Sequence, residues 1–200
     1  MVKTGCQVTT VAVINNIKAH IQLDKIFIKD FQSNVLRRKG KVYNNFIVIK
    51  FIYTFIIFPK KGFINITGIK NFAAYERVIP LFCDLFQVGN SNLESSKLVI
   101  DNISASGDFH QTVNLVKLQQ MINAGEYPNI TTHFDRNFFP GAFCKIVGLG
   151  TVTVFQSGKF VIVGSKCQEH VDQVTKLMSA IINELSIMNE MVNLSVSTVV

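Results

Sequence analysis

Residues 46–70 (FIVIKFIYTFIIFPKKGFINITGIK) and 142–166 (AFCKIVGLGTVTVFQSGKFVIVGSK) are two versions of one pattern. Both are dense in Val, Ile, Phe and Thr, are broken by Gly or Pro at short intervals, and end on nearly the same turn, ITGIK and IVGSK. Such runs predict a meander of hairpin-linked strands. Upstream of each lies a second matched pair, residues 11–31 and 98–118, in which a strand carrying an Asn-Ile pair leads into a short amphipathic helix. Asp24 and Lys25 stand near the start of one such helix, and Val113, Leu115, Val116 and Leu118 mark the other. Asn16 and Asn102 are 86 residues apart, while Gly68 and Gly164, like Lys70 and Lys166, are 96 apart. The chain is therefore an internal duplication, and any fold it adopts must be built twice from strand, helix, strand meander and long helix.

The long helices are visible as apolar stripes. Val171, Val174, Leu177, Met178, Ile181, Ile182 and Leu185 recur at spacings of three and four, as do Phe72, Tyr75, Val78, Ile79, Phe82, Leu85 and Phe86. Pro80 interrupts the second set, and because proline lacks a backbone donor it should kink or split that helix. Residues 8–88 form the first repeat, 97–188 the second and 189–200 a tail, with the polar run 87–97 (QVGNSNLESSK) as connector. The predicted class is α+β: two antiparallel sheets, each with a helix on one face and the other face open.

Charge says what that face meets. The chain of 200 residues carries 20 basic and 13 acidic side chains, net +7, but residues 1–100 hold 14 of the bases and 5 of the acids. Between Asp30 and Glu76 there is no acid, whereas Arg37, Arg38, Lys39, Lys41, Lys50, Lys60, Lys61 and Lys70 all fall there. A polyanion such as nucleic acid is the partner this suggests, with a merely solvated basic surface as the alternative. The four cysteines, Cys6, Cys83, Cys144 and Cys167, and the four histidines, His20, His110, His133 and His170, show no metal-ligand or disulfide spacing. No cofactor, metal or catalytic cluster is expected, and reduced thiols point to an intracellular protein. The longest apolar run, 46–58, is 13 residues interrupted by Lys50, too short for a membrane-spanning helix. The N-terminus MVKTGCQVTT carries no apolar signal region.

Asn102-Ile103, then HFDRNFFPGAFCKI (133–146), then TVFQSGKFVIVGSK (153–166) with its following helix resemble the second repeat of the TATA-box-binding protein family. INNI (14–17), IIF (56–58) and ITGIK (66–70) match the first repeat, so the resemblance spans roughly residues 8–188. It implies a ten-stranded curved sheet with helices on the convex back and a concave underside lying in the minor groove of A/T-rich promoter DNA, which is sharply bent.

In that family, phenylalanines wedge between base steps. Phe139 and Phe155 match the second pair and Phe58 one of the first. Phe46 matches the fourth from only 12 residues before Phe58, against 16 between Phe139 and Phe155, so the first hairpin is shortened. Asn16 and Asn102 match central asparagines that donate to the acceptors of A·T pairs. Asn65 and Thr67 in one repeat, and Val161 and Val163 in the other, match the groove-contacting floor. Lys50, Lys70, Lys145, Lys159 and Lys166 match phosphate contacts. Asp135 and Arg136 match the loop that in the family receives transcription factor B, where an acidic stretch is usual and here only Asp135 survives. The chain departs from the family pattern at Lys18 and Ser104, where valine is usual, and at Pro59-Lys60-Lys61-Gly62, where Ser-Gly-Lys is usual. The resemblance implies a non-enzymatic transcription initiation factor acting in the nucleus or at an intracellular viral transcription site. Two alternatives belong to other classes: a scaffold in a transcription complex that has lost DNA binding, and a substrate-recognition module of a nucleic-acid enzyme.

Overall fold

Alternation decides the strands. In Thr54–Phe58, and in Phe63–Ile69 as far as Thr67, every second side chain is buried and its neighbours are half-buried, the signature of a sheet covered well on one face only. The computed structural model of the protein describes residues 10–22, 41–43, 45–86 and 98–197. The helix expected around Asp24 and Lys25, the basic triplet 37–39, Cys6 and the connector 87–97 lie outside the described residues. The described chain forms two compact units, Ile14–Ile103 and a second from Ser104 onward that takes in the segment up to Val13. These boundaries fall inside strands rather than at the polar connector between the repeats.

In the first unit, β1 (Val13–Gln22), β2 (Lys41–Val42), β3 (Ile47–Lys50), β4 (Thr54–Phe58) and β5 (Phe63–Ile69) are arranged in the order β2-β3-β4-β5-β1. The antiparallel register sets Val48 opposite Ile56, Ile56 opposite Asn65, and Asn65 opposite His20. Two helices follow, α1 (Phe72–Glu76) and α2 (Val78–Phe86), separated at Arg77 as Pro80 requires. Proline is tolerated in the first turn of α2 because that turn has no intrahelical acceptor for its missing N–H. Asn71 caps α1 by accepting from the Ala74 N–H at 2.7 Å. Val78, Phe82 and Leu85 are buried; the Phe82 ring lies 6.0 Å from that of Phe55, which is fully enclosed.

The second unit repeats the plan with β6 (Val99–Asp108), α3 (Leu115–Met121), β7 (Ile130–His133), β8 (Gly141–Ile146), β9 (Gly150–Phe155), β10 (Lys159–Ser165) and α4 (Gln168–Ser197). Its strands take the order β6-β10-β9-β8-β7. Asn114 caps α3 through the Lys117 N–H, the same device as Asn71. Val171, Val174, Met178, Ile181, Ile182 and Leu185 are all buried, so the apolar stripe of α4 faces the sheet, with Leu177 half-buried at its edge. The two matched turns agree in conformation as well as sequence: Gly68 and Gly164 have φ of 96° and 91°, a region in which a β-carbon is strained. Together these elements make the α+β class predicted from the sequence.

Candidate nucleic-acid interface

Each unit has a sheet face that its helices do not cover, and strand parity says which residues stand on it. In the first unit, Ile17, Ala19 and Ile21 of β1 are fully buried, so Lys18, His20 and Gln22 project to the other side. The cross-strand register adds Asn65, Ile56 and Val48 in one row and Thr67 with Thr54 in another. In the second unit, His133, Phe143, Thr153 and Val161 form one row, and Thr131, Lys145, Thr151 and Val163 the next. The expected floor residues Asn65, Thr67, Val161 and Val163 thus all stand on open faces.

The four phenylalanines expected as wedges fall into one aromatic group per unit. In the second, the Phe139 ring lies 6.0 Å from Phe155 and stacks on Phe143 at 4.9 Å. Phe139 and Phe143 remain 38% and 39% exposed, which is unusual for rings of this size without a covering element. In the first unit, Phe46 and Phe58 meet at 5.7 Å in spite of the shortened hairpin. Phe63 stacks on Phe58 at 4.7 Å and Tyr43 on Phe46 at 4.7 Å, giving a row of four rings with the Lys61 ammonium 6.0 Å from the Phe58 centroid. Tyr43, Phe63 and Phe143 were not singled out from the sequence. For Phe143 the signal was present: it lies two residues beyond Gly141, and a period of two places both on one face.

Asn16 is held by its own chain. Its Oδ1 accepts from the Gly68 N–H at 2.6 Å and from the Thr67 hydroxyl at 3.1 Å, which fixes which end of the carboxamide is oxygen and which is nitrogen. Asn102, its counterpart, is half-buried in β6. Among the lysines expected at phosphates, Lys50, Lys145, Lys159 and Lys166 are exposed. Lys70 is also exposed, with its ammonium donating to the Asn15 carbonyl at 2.9 Å. Asp135 turns its carboxylate onto the Asn137 N–H at 2.9 Å, while its carbonyl accepts from the Phe138 and Phe139 N–H groups. That turn leaves Arg136 exposed and Phe138 90% exposed, so the segment carrying the expected partner contacts also sets the position of Phe139. His20 Nδ1 lies 2.8 Å from Asp101 Oδ1, a pairing no sequence pattern announced.

Behind the second sheet, burial pushes the Cys144 thiol up to about 11. Burial also raises the Cys83 thiol, helped by the neighbouring Asp84 charge. Both are protonated packing groups at neutral pH. Among the described residues no group of three or more His, Cys, Asp or Glu is placed to hold a metal ion, and no helix is long and apolar enough to cross a membrane.

Residues 97–185 match the family model described as transcription factor TFIID, or TATA-binding protein. TATA-box-binding protein 2 of Methanosarcina mazei is 32% identical over 117 residues, covering 58% of this chain and 61% of that one. TATA-box-binding protein 1 of Methanosarcina acetivorans matches with the same figures. The chain therefore spans about three-fifths of the length of these curated relatives. Among solved structures, the Methanococcus jannaschii TATA-binding protein shares the fold, with a TM-score of 0.62 at 19% identity, over 88% of this chain and 99% of that one.

Proposed function

Because the family model, the archaeal relatives and the common fold identify this chain as a divergent member of the TATA-box-binding-protein family, we propose that it is a non-enzymatic transcription initiation factor that binds A/T-rich promoter DNA in the minor groove and bends it. The observation that carries this reading is the aromatic pairing on each open face, Phe139 with Phe155 and Phe46 with Phe58. Partly exposed rings without a hydrogen-bonding requirement suit insertion between base pairs, where they replace the stacking lost at a kink. Unstacking costs a few kcal/mol per step, and burial of the rings together with counterion release offsets it.

The remaining face residues take complementary roles. Asn16 and Asn102 offer amide donors to adenine N3 and thymine O2, the acceptors A·T pairs show in this groove. Asn65, Thr67, Val161 and Val163 fill the floor. Lys50, Lys145, Lys159 and Lys166 reach phosphates, joined by Lys70 once it leaves the Asn15 carbonyl; they position the protein without reading sequence. The Asp135–Arg136 turn is the contact for a transcription factor B-like protein, and the factor works in the nucleus or at an intracellular viral transcription site.

The test is a donor–acceptor fluorescence measurement of bending on a TATA-containing duplex, run beside anisotropy titrations against TATA and G·C-rich duplexes at two salt concentrations. Bending by the native chain that disappears in the Phe139→Ala/Phe155→Ala variant is the expected result. Unchanged bending in that variant, or equal affinity for both duplexes, would defeat the proposal.

A further inference from the structure

The two units build the same corner of the sheet differently. In the second, Gly141 stands opposite Phe155 in the β8–β9 ladder, and the Phe139 ring reaches Phe155 from residues 134–140, the connection between β7 and β8. In the first, the register that pairs Ile47 with Ile57 and Val48 with Ile56 puts Phe46 opposite Phe58. Phe46 therefore stands where the second unit has Gly141. Residues 43–46 are all that join β2 to β3, too few to fold a further ring back over the strand as Phe139 does. The ring that lies on Phe46 is instead Tyr43, at the other end of this short connection. Its N–H donates to the Phe46 carbonyl at 2.8 Å, and its ring stacks on Phe46 at 4.7 Å with 21° between the planes. Tyr43 is 48% exposed, more than Phe139, whereas Phe46, Phe58 and Phe63 are half-buried.

We propose that Tyr43, rather than Phe46, is the ring of the first unit that meets the bases at the kinked step, and that Phe46 is the platform holding it there. The inference rests on the minor-groove reading above and reassigns one of its four wedges. A phenol stacks as a phenylalanine ring does, and it suits a site with one apolar and one polar side. Its hydroxyl can donate to adenine N3 or thymine O2, the acceptors that A·T pairs present in this groove. Lys41 supports the placement. It is exposed, and its pairing with Val48 puts it on the open face two residues before Tyr43, where its ammonium can hold a phosphate beside the stacked ring. Tyr43 is thus the contact residue and Phe46 a positioning residue.

The chain contains no tryptophan, so Tyr43→Trp and Phe46→Trp each supply a single indole fluorophore in the full chain. Titrated with a TATA duplex, Tyr43→Trp should lose most of its emission as the indole stacks on a base. Phe46→Trp, shielded between Tyr43 and Phe58, should lose less. Tyr43→Ala should weaken binding by about tenfold, the scale of one base–aromatic stack, and reduce the bend read by donor–acceptor fluorescence. Tyr43→Phe should recover the bend, which a role in the fold alone would not require of the ring. Thermal melting of Tyr43→Ala checks that the sheet persists. Stronger quenching in Phe46→Trp than in Tyr43→Trp, or a bend untouched by Tyr43→Ala, overturns this inference while leaving minor-groove binding intact. Binding of the native chain to no duplex overturns the minor-groove reading and the inference with it.

Discussion

Gly141 stands directly across from Phe155 in the β8–β9 ladder, and a β-carbon on it would come within 3.2 Å of a Phe155 ring carbon. The same atom would lie 3.0 Å from the Phe139 ring and 2.9 Å from the Thr153 methyl. Both candidate wedges therefore rest on a residue with no side chain, and their common seat is the bare backbone of β8. The glycine of Phe-Pro-Gly serves here to let two rings settle onto the sheet.

Gly141→Ala should consequently displace both rings while the sheet survives. Overpacking of this kind costs about 1–3 kcal/mol, partly relieved because the exposed Phe139 ring can shift. The expected outcome is a modestly lowered melting temperature and a DNA bend reduced to the level of the Phe139→Ala/Phe155→Ala variant. A bend angle equal to that of the native chain would show that the rings act without this seat.

Asn16 has one observed role in the fold and one proposed role toward DNA, and substitution can separate them. Its oxygen serves the Gly68 N–H and Thr67 hydroxyl, and its amide nitrogen is assigned to the groove. Asn16→Ala strips a part-buried backbone N–H of its acceptor and should cost about 1–3 kcal/mol in chemical denaturation. Asn16→Asp keeps an acceptor for both donors but exchanges the amide donor for an anion. Its stability should stay near that of the native chain while affinity for A·T duplex falls at least tenfold. Parallel losses in both variants would assign Asn16 to the fold alone.

Much of this was legible beforehand, because the evidence for a duplicated sheet is periodic and periodicity survives divergence. The matched turns at Gly68 and Gly164 and the helix break at Pro80 follow from spacing along a single strand or helix, while the pairing of Phe139 with Phe155 came from the family resemblance. What sequence could not show depends on neighbours distant in the chain. His20 and Asp101 are 81 residues apart and meet only once the sheet order is known. The Lys70 ammonium takes a backbone carbonyl 55 residues away instead of standing free for a phosphate. Phe63 was concealed for another reason: it follows a turn one residue longer than its counterpart, so it occupies the strand-opening position held by Lys159 in the second copy.

That replacement can be reversed. Phe63→Lys restores a cation at the position after the turn and removes the ring stacked on Phe58 at 4.7 Å. DNA affinity should become more salt-sensitive, its logarithmic slope steeper by about 0.9 for one added phosphate contact. The bend should at the same time weaken, since Phe58 loses the ring that backs it. Titration at four salt concentrations, combined with the fluorescence bending measurement, reads both effects. An unaltered slope would mean that this corner of the first unit does not approach the DNA backbone.

The alkaline limit of the second unit should be set in part by Tyr127. Its hydroxyl donates to Glu184 Oε2 at 2.7 Å, joining the turn after α3 to α4. That hydrogen bond, followed by burial and by the charges of Glu184 and Glu126, pushes the phenol from 10.0 up to about 12. The folded state thus holds the proton more tightly than the unfolded chain does. Stability from this contact is fully present below pH 10 and disappears as pH rises toward about 12. Tyr127→Phe removes the donor without emptying the site. Melting temperatures of the native chain and this variant should differ by a constant amount from pH 7 to pH 9 and converge between pH 10 and pH 12. A difference that persists unchanged to pH 12 would mean that the hydroxyl's contribution does not depend on its proton.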